Sequence, residues 1–168
     1  MMPVIALYAE LAVTFHGDAL LGELVFPICE CCLAYLNLYS KLEYYPLILH
    51  TLAQLVSLME RTKVRFSLCK NLLELLRAKR VRARPSGARS KQFPFEIRAK
   101  ASAEELGDEL FWNDFSARVL FLIERQFLLA QGEPYFAAFV HSVSSALKAQ
   151  LKSKSSLEVK KGVARLVC

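Results

Sequence analysis

A chain of 168 residues with 54% hydrophobic and 23% charged residues has apolar surface enough for one sizeable core and too little length for two ordinary domains, which excludes disorder throughout. The longest stretch free of Lys, Arg, Asp and Glu, Tyr44 to Met59, falls short of a bilayer span, and Glu10 interrupts an apolar N-terminus with no basic region, which excludes a transmembrane helix and a secretory signal. The net charge of +6 is uneven: residues 1–59 carry one base and five acids, 60–100 thirteen and three, 101–147 two and seven, 148–168 six and one.

In chain order, apolar residues between Pro3 and Phe15 fall at Ile5, Ala9, Ala12 and Val13, predicting a helix that Gly17 closes with a left-handed cap. Ala19 to Tyr39 is apolar nearly all round, with Leu24, Ile28, Cys31, Cys32, Tyr35 and Leu38 at helical spacing, which predicts burial on more than one side. From Tyr45, the stripe Ile48, Leu49, Leu52, Val56 and Met59 leaves Thr51, Gln54 and Ser57 as a narrow polar edge. Thr62 is the expected N-cap of a next helix with inner face Phe66, Cys69, Leu72, Leu73 and Leu76, making an αα-hairpin. The triplets Phe26-Pro27-Ile28 and Tyr45-Pro46-Leu47 mark equivalent helix starts.

Residues 79–100 break the period, with Pro85, Gly87 and Pro94 among bases and small polar residues, and read as a basic loop inside a single helical domain spanning 1–168. Ser102 and Glu105 form a capping box that opens a long helix, with Leu110, Phe111, Phe115, Val119, Leu122, Ile123 and Phe127 along it and Gly132 closing it. After Pro134, a last helix sets Phe136, Phe139, Val140, Val143, Leu147 and Leu151 on one face. No stretch alternates with period two, so the expected fold is all-α, 65–80% helical by roughly this pattern. Its architecture is a set of antiparallel helical hairpins forming a short HEAT-like α-solenoid or an irregular helical bundle.

Catalytic chemistry has little footing. His16, His50 and His141 have no nucleophile or carboxylate at motif spacing, and no phosphate-binding glycine loop occurs. Cys29, Cys31, Cys32, Cys69 and Cys168 lack paired C-x-x-C arms and read as buried thiols of a nuclear or cytosolic protein. Glu104, Glu105, Asp108 and Glu109 occupy early helical turns, where the helix dipole favours negative charge. Phe111, Trp112 and Phe115 follow a core stripe more than a base-stacking platform. No cofactor, metal or small-molecule substrate is expected.

The segment with chemistry of its own is Arg77, Lys79, Arg80, Arg82, Arg84, Arg89 and Lys91, seven bases in fifteen residues without an acid. Guanidinium groups at this density bind phosphates, so RNA is the natural polyanion, while a nuclear-targeting signal or a solvated loop accounts for the same residues.

Phe26-Pro27-Ile28, then Tyr44-Tyr45-Pro46-Leu47 with His50 a turn on, is similar to a stretch of the nucleolar complex protein 2 family. Phe93-Pro94-Phe95 after a basic linker, with Lys100 and Leu106, resembles that family's Phe-x-Phe and Lys-Leu signature, and Tyr135 to Lys152 resembles its last helix. The ordered set runs from Leu24 to Lys152. Ala137 and Ala138 depart from it, standing where the family usually has Pro and Glu, and the long N-terminal extension of other members is missing, so a fragment or reduced member is expected. The resemblance implies a non-enzymatic scaffold of large ribosomal subunit biogenesis in nucleolus and nucleoplasm. Homologous nucleolar complex proteins, as heterodimer partners, and precursor rRNA of the pre-ribosomal particle are its implied partners. The alternative is a freestanding nucleic-acid-binding helical module or a general protein-interaction adaptor; an excess of exposed Leu, Phe and Tyr would favour the scaffold.

Overall fold

The computed structural model describes residues 2–18, 22–39, 41–77 and 92–152. Among these described residues seven α-helices follow in order: α1 (Met2–Thr14), α2 (Val25–Leu38), α3 (Tyr45–Thr62), α4 (Cys69–Leu76), α5 (Ala103–Leu106), α6 (Glu109–Ala130) and α7 (Phe136–Lys152). Short 3-10 turns at Gly22–Leu24 and Leu42–Tyr44 lead into α2 and α3. Helix makes up 76% and strand is absent among the described residues, as the apolar periodicity requires. The packed helices fit a bundle or a solenoid. They group into two compact units, Met1–Phe66 with Pro94–Ser102, and Ser67–Phe93 with Ala103–Cys168.

In the first unit α1 and α2 both pack on α3 and on each other. Pro46 lies in the first turn of α3, where its missing N–H costs no helical hydrogen bond. Leu47, Leu52, Leu55, Val56, Leu58 and Met59 are almost fully buried. The expected stripe is therefore the core of this unit, but its polar edge is narrower than the pattern suggests. Thr51 is completely buried, its hydroxyl donating to the Leu47 carbonyl at 2.9 Å, which lets a polar side chain lie inside without an unmet donor. Thr62 ends α3 instead of capping α4: its hydroxyl donates to the Leu58 carbonyl, and Lys63 then takes the left-handed conformation at φ 59°. A helix-terminating back-bond outcompeted the capping role because residues 63–68 are not helical and α4 starts only at Cys69.

Gly17 is not left-handed. The chain leaves α1 by successive turns, Phe15 N–H to Leu11 C=O at 3.0 Å and Asp18 N–H to Phe15 C=O at 3.0 Å, which bend it without a positive φ. Gly22 is the glycine this corner needs, since a Cβ there would lie 2.6 Å from the His16 carbonyl oxygen.

In the second unit α6 packs against α4, α5 and α7. Phe111, Trp112, Phe115, Val119, Leu122 and Ile123 are buried along it, so the aromatic residues are core and have no face left for stacking on bases. Trp112 Nε1–H donates to the Leu106 carbonyl at 2.7 Å, and the buried Gln126 side chain accepts from Leu68 N–H at 3.2 Å. The capping box of Ser102 and Glu105 precedes only the four-residue α5. The long helix opens separately at Asp108, whose extended backbone and side chain accepting from Leu110 N–H make it the N-cap. Gly132 does close the helix, at φ 86°. Phe139, Val143 and Leu147 form the buried face of α7.

Candidate functional site: an open apolar face and a basic connector

α1 buries Ala9 and Ala12 and holds α3 further through the Glu10 carboxylate, which accepts from the Arg61 guanidinium. Its other side, Val4, Leu7, Tyr8, Leu11 and Phe15, is exposed and bears no charge. α2 buries only Val25, Cys29 and Leu36, so the expectation of burial on several sides fails: Phe26 is 62% and Leu38 78% exposed. The helix is apolar nearly all round, Glu30 being its one charge, but it buries few side chains within its unit.

Between the open sides of α1 and α2 runs a groove of about 550 Å³ with Tyr8, Leu11, Phe15, Leu24, Pro27 and Cys31 among its walls. Cys31 is exposed there, against the expectation of a buried thiol, whereas Cys29 is buried and its thiol is pushed up to about 12 by burial first and by Cys32 and Glu30 beside it. Burial likewise raises Cys32 and Cys69. These thiols are poor nucleophiles. Sequence reading missed the groove; the signal was that Glu10 alone is charged in α1, so the helix has apolar residues left over once Ala9 and Ala12 are inside.

Of the seven bases, Arg77 is described. It is exposed at the C-cap of α4, its N–H bonded to the Leu73 and Leu75 carbonyls, where a cation is favoured by the helix dipole. Lys79, Arg80, Arg82, Arg84, Arg89 and Lys91 lie outside the described residues. The stretch 92–100 expected as loop is not helical, yet it is anchored. Phe93 is buried edge-on to Phe111 at 5.1 Å in the second unit, and Phe95 is buried in the first. From Phe95 the chain turns, Ile97 and Arg98 N–H donating to the Pro94 carbonyl, and then lies on the start of α3. There Ala101 N–H donates to the Glu43 carbonyl at 2.8 Å, and Lys100 reaches the Glu43 carboxylate at 3.4 Å and the face of Tyr44 at 5.4 Å.

Among the described residues titratable groups assemble into no constellation. His16 and His141 are exposed, and His50 on α3 is half-buried, with burial lowering its pKa and Glu96 opposing the shift. Its Nε2 has no hydrogen-bond partner within the protein. Among the described residues no group of His, Cys, Asp or Glu is placed to hold a metal ion, and no helix is long and apolar enough to cross a membrane.

Fold and surface together define an all-α protein whose outstanding feature is an apolar helical face. The model of the Noc2p family matches residues 4–168, and the chain belongs to that family. It is a family of ribosome biogenesis, not known for catalysis, and its setting is the nucleus. A comparison with curated proteins returns no match.

Proposed function

We propose that the chain is a non-enzymatic scaffold of large-subunit biogenesis, in nucleolus and nucleoplasm, that binds homologous nucleolar complex proteins through open helix faces and precursor rRNA through Arg77 to Lys91. The observation that carries the reading is the uncharged groove beside α1 and α2 with the exposed apolar side chains around it, because monomers rarely leave contiguous apolar patches in water without a partner. A freestanding nucleic-acid module would need its helices only to hold the basic segment and would gain nothing from this face. Co-purification from nuclear extract, with the bound proteins and RNA identified, tests the scaffold; recovery of RNA with no protein partner would sink it.

The basic segment is tested by salt. If about four of its bases meet phosphates, log K for single-stranded RNA falls with log[salt] at a slope near −3, and a fourfold rise in salt weakens binding roughly sixtyfold. Replacing Arg80, Arg82, Arg84 and Arg89 with Ala flattens the slope for unrelated RNA sequences alike. Unchanged RNA binding with lost nuclear accumulation would make the segment a targeting signal.

A further inference from the structure

We infer that the α1–α2 groove is a docking site for one amphipathic helix whose apolar stripe is flanked by Lys and Arg. The inference rests on the scaffold reading and adds the chemistry of the partner.

The walls set the apolar part. Tyr8 and Leu11 on α1 with Phe15 just past its end, and Leu24 just before α2 with Pro27 and Cys31 on it, each lie at i, i+3 and i+7, the ridges of two adjacent helices. A third helix packs into such a trough with a stripe of three or so large side chains, whereas an extended peptide would want a sheet edge, and the described residues contain no strand.

Charge selects among helices. Residues 4–39 contain no Lys or Arg, and their four acids, Glu10, Asp18, Glu23 and Glu30, are all exposed. Glu10 is engaged with Arg61. Glu23 adjoins the wall residue Leu24 and Asp18 follows Phe15 by three residues, so the acids of this stretch flank, along the chain, the end of the groove where α1 gives way to α2. A second copy of the chain would bring the same acids and no base from its own α1 and α2, and RNA would bring phosphates. Both meet like charge, whereas a helix with basic flanks meets opposite charge around an apolar seam.

Cys31 supplies a reporter, being exposed and a wall of the groove. Two designed helical peptides of about eighteen residues share a Leu stripe at i, i+3, i+4 and i+7, with Lys at the remaining positions in one and Glu in the other. The full chain is labelled with a maleimide and the modified cysteine assigned by mass spectrometry. Saturating Lys peptide is expected to slow labelling of Cys31 at least tenfold and leave Cys69 unchanged, while the Glu peptide protects neither. Leu11→Asp abolishes the protection with the helical spectrum and melting temperature retained, because Leu11 is a partly exposed wall. Glu23→Lys, a surface change that keeps the test open if Leu11→Asp disturbs folding, weakens the Lys peptide roughly fivefold, the scale of one exposed ion pair. Equal protection by both peptides, protection by neither, or protection that grows with the concentration of the chain alone overturns the inference. Failure here, with proteins and pre-ribosomal RNA still co-purifying with the chain, leaves the scaffold reading standing; failed co-purification removes that reading whatever the peptides do.

Discussion

α2 and α3 begin alike. Each follows a 3-10 turn, and each carries an aromatic residue, a proline and an aliphatic residue in its first turn, at its start in α3 and one residue in, after Val25, in α2. α2 is the more apolar of the two, yet it buries three residues and α3 buries eleven. Apolar content therefore does not decide burial in this chain. Position does: α3 is covered by α1 and α2, and it carries the strap of residues 94–102 at its start, while α2 is covered on one side. An apolar helix that its own unit leaves half open is surface held for another molecule under the scaffold reading.

The contrast can be broken most directly by truncating equivalent bulk in the two helices. Leu52→Ala in α3 removes a side chain with no exposure and should cost about 2–5 kcal/mol in denaturant unfolding. Phe26→Ala in α2 should stay within about 0.5 kcal/mol, since it empties no packed space. Similar losses at the two sites would show that α2 is enclosed after all. In the second unit, Gln126→Leu leaves the Leu68 N–H buried without an acceptor, and a loss of about 1–3 kcal/mol is expected. A neutral result there would mean that water replaces the amide and that this interior is as open as the α2 face.

The pH dependence sharpens the comparison from the α3 side. Burial lowers the His50 pKa from 6.5, so the unfolded chain binds the proton more readily than the folded one. The contribution of neutral His50 is present above about pH 6.5 and is lost as pH falls through the depressed folded value. Urea unfolding at pH 7.5 and pH 5.5 should show lower stability at the acid end, and His50→Asn should reduce that difference. A small effect belongs to the tether of α1: Glu10→Gln removes its exposed ion pair with Arg61, and stability to unfolding should fall by no more than about 1 kcal/mol. A larger loss would mean that α1 is held chiefly by charge and not by Ala9 and Ala12.

The sequence was most legible where a single periodicity governs a helix. The α3 stripe, the core face of α6 and the buried face of α7 all follow from spacing, because each of these helices is amphipathic enough for one face to win. It was least legible at ends and on helices apolar all round. Thr62 is an equally good N-cap or terminal back-bonder, and the non-helical stretch behind it decided the matter. Ser102 and Glu105 fit a capping box that opens only one turn, because Asp108 starts the longer helix six residues later. Gly17 and Gly132 look alike as punctuation, and only the second needs a positive φ. For α1 and α2 no period distinguishes a side that will be covered from one that will not, so the groove has no separate signature in the pattern. The basic run is conspicuous in composition, and of its seven bases Arg77, at the end of α4, lies within the described residues.

The strap of residues 94–102 also sets the order of events during synthesis. It belongs to the first unit, but the chain must pass through Ser67–Phe93 of the second before reaching it. At about 5–20 residues per second, the ribosome takes some two to eight seconds between releasing the end of α3 and supplying Ala101 for the Glu43 carbonyl. Through that interval α1, α2 and α3 exist without the segment that buries Phe95, with both the start of α3 and the groove open to water. A nascent chain halted near residue 66 should therefore be more easily cleaved by protease around the 41–44 turn than one halted past residue 102, and a helical partner able to occupy the groove would have its first opportunity before the protein is complete.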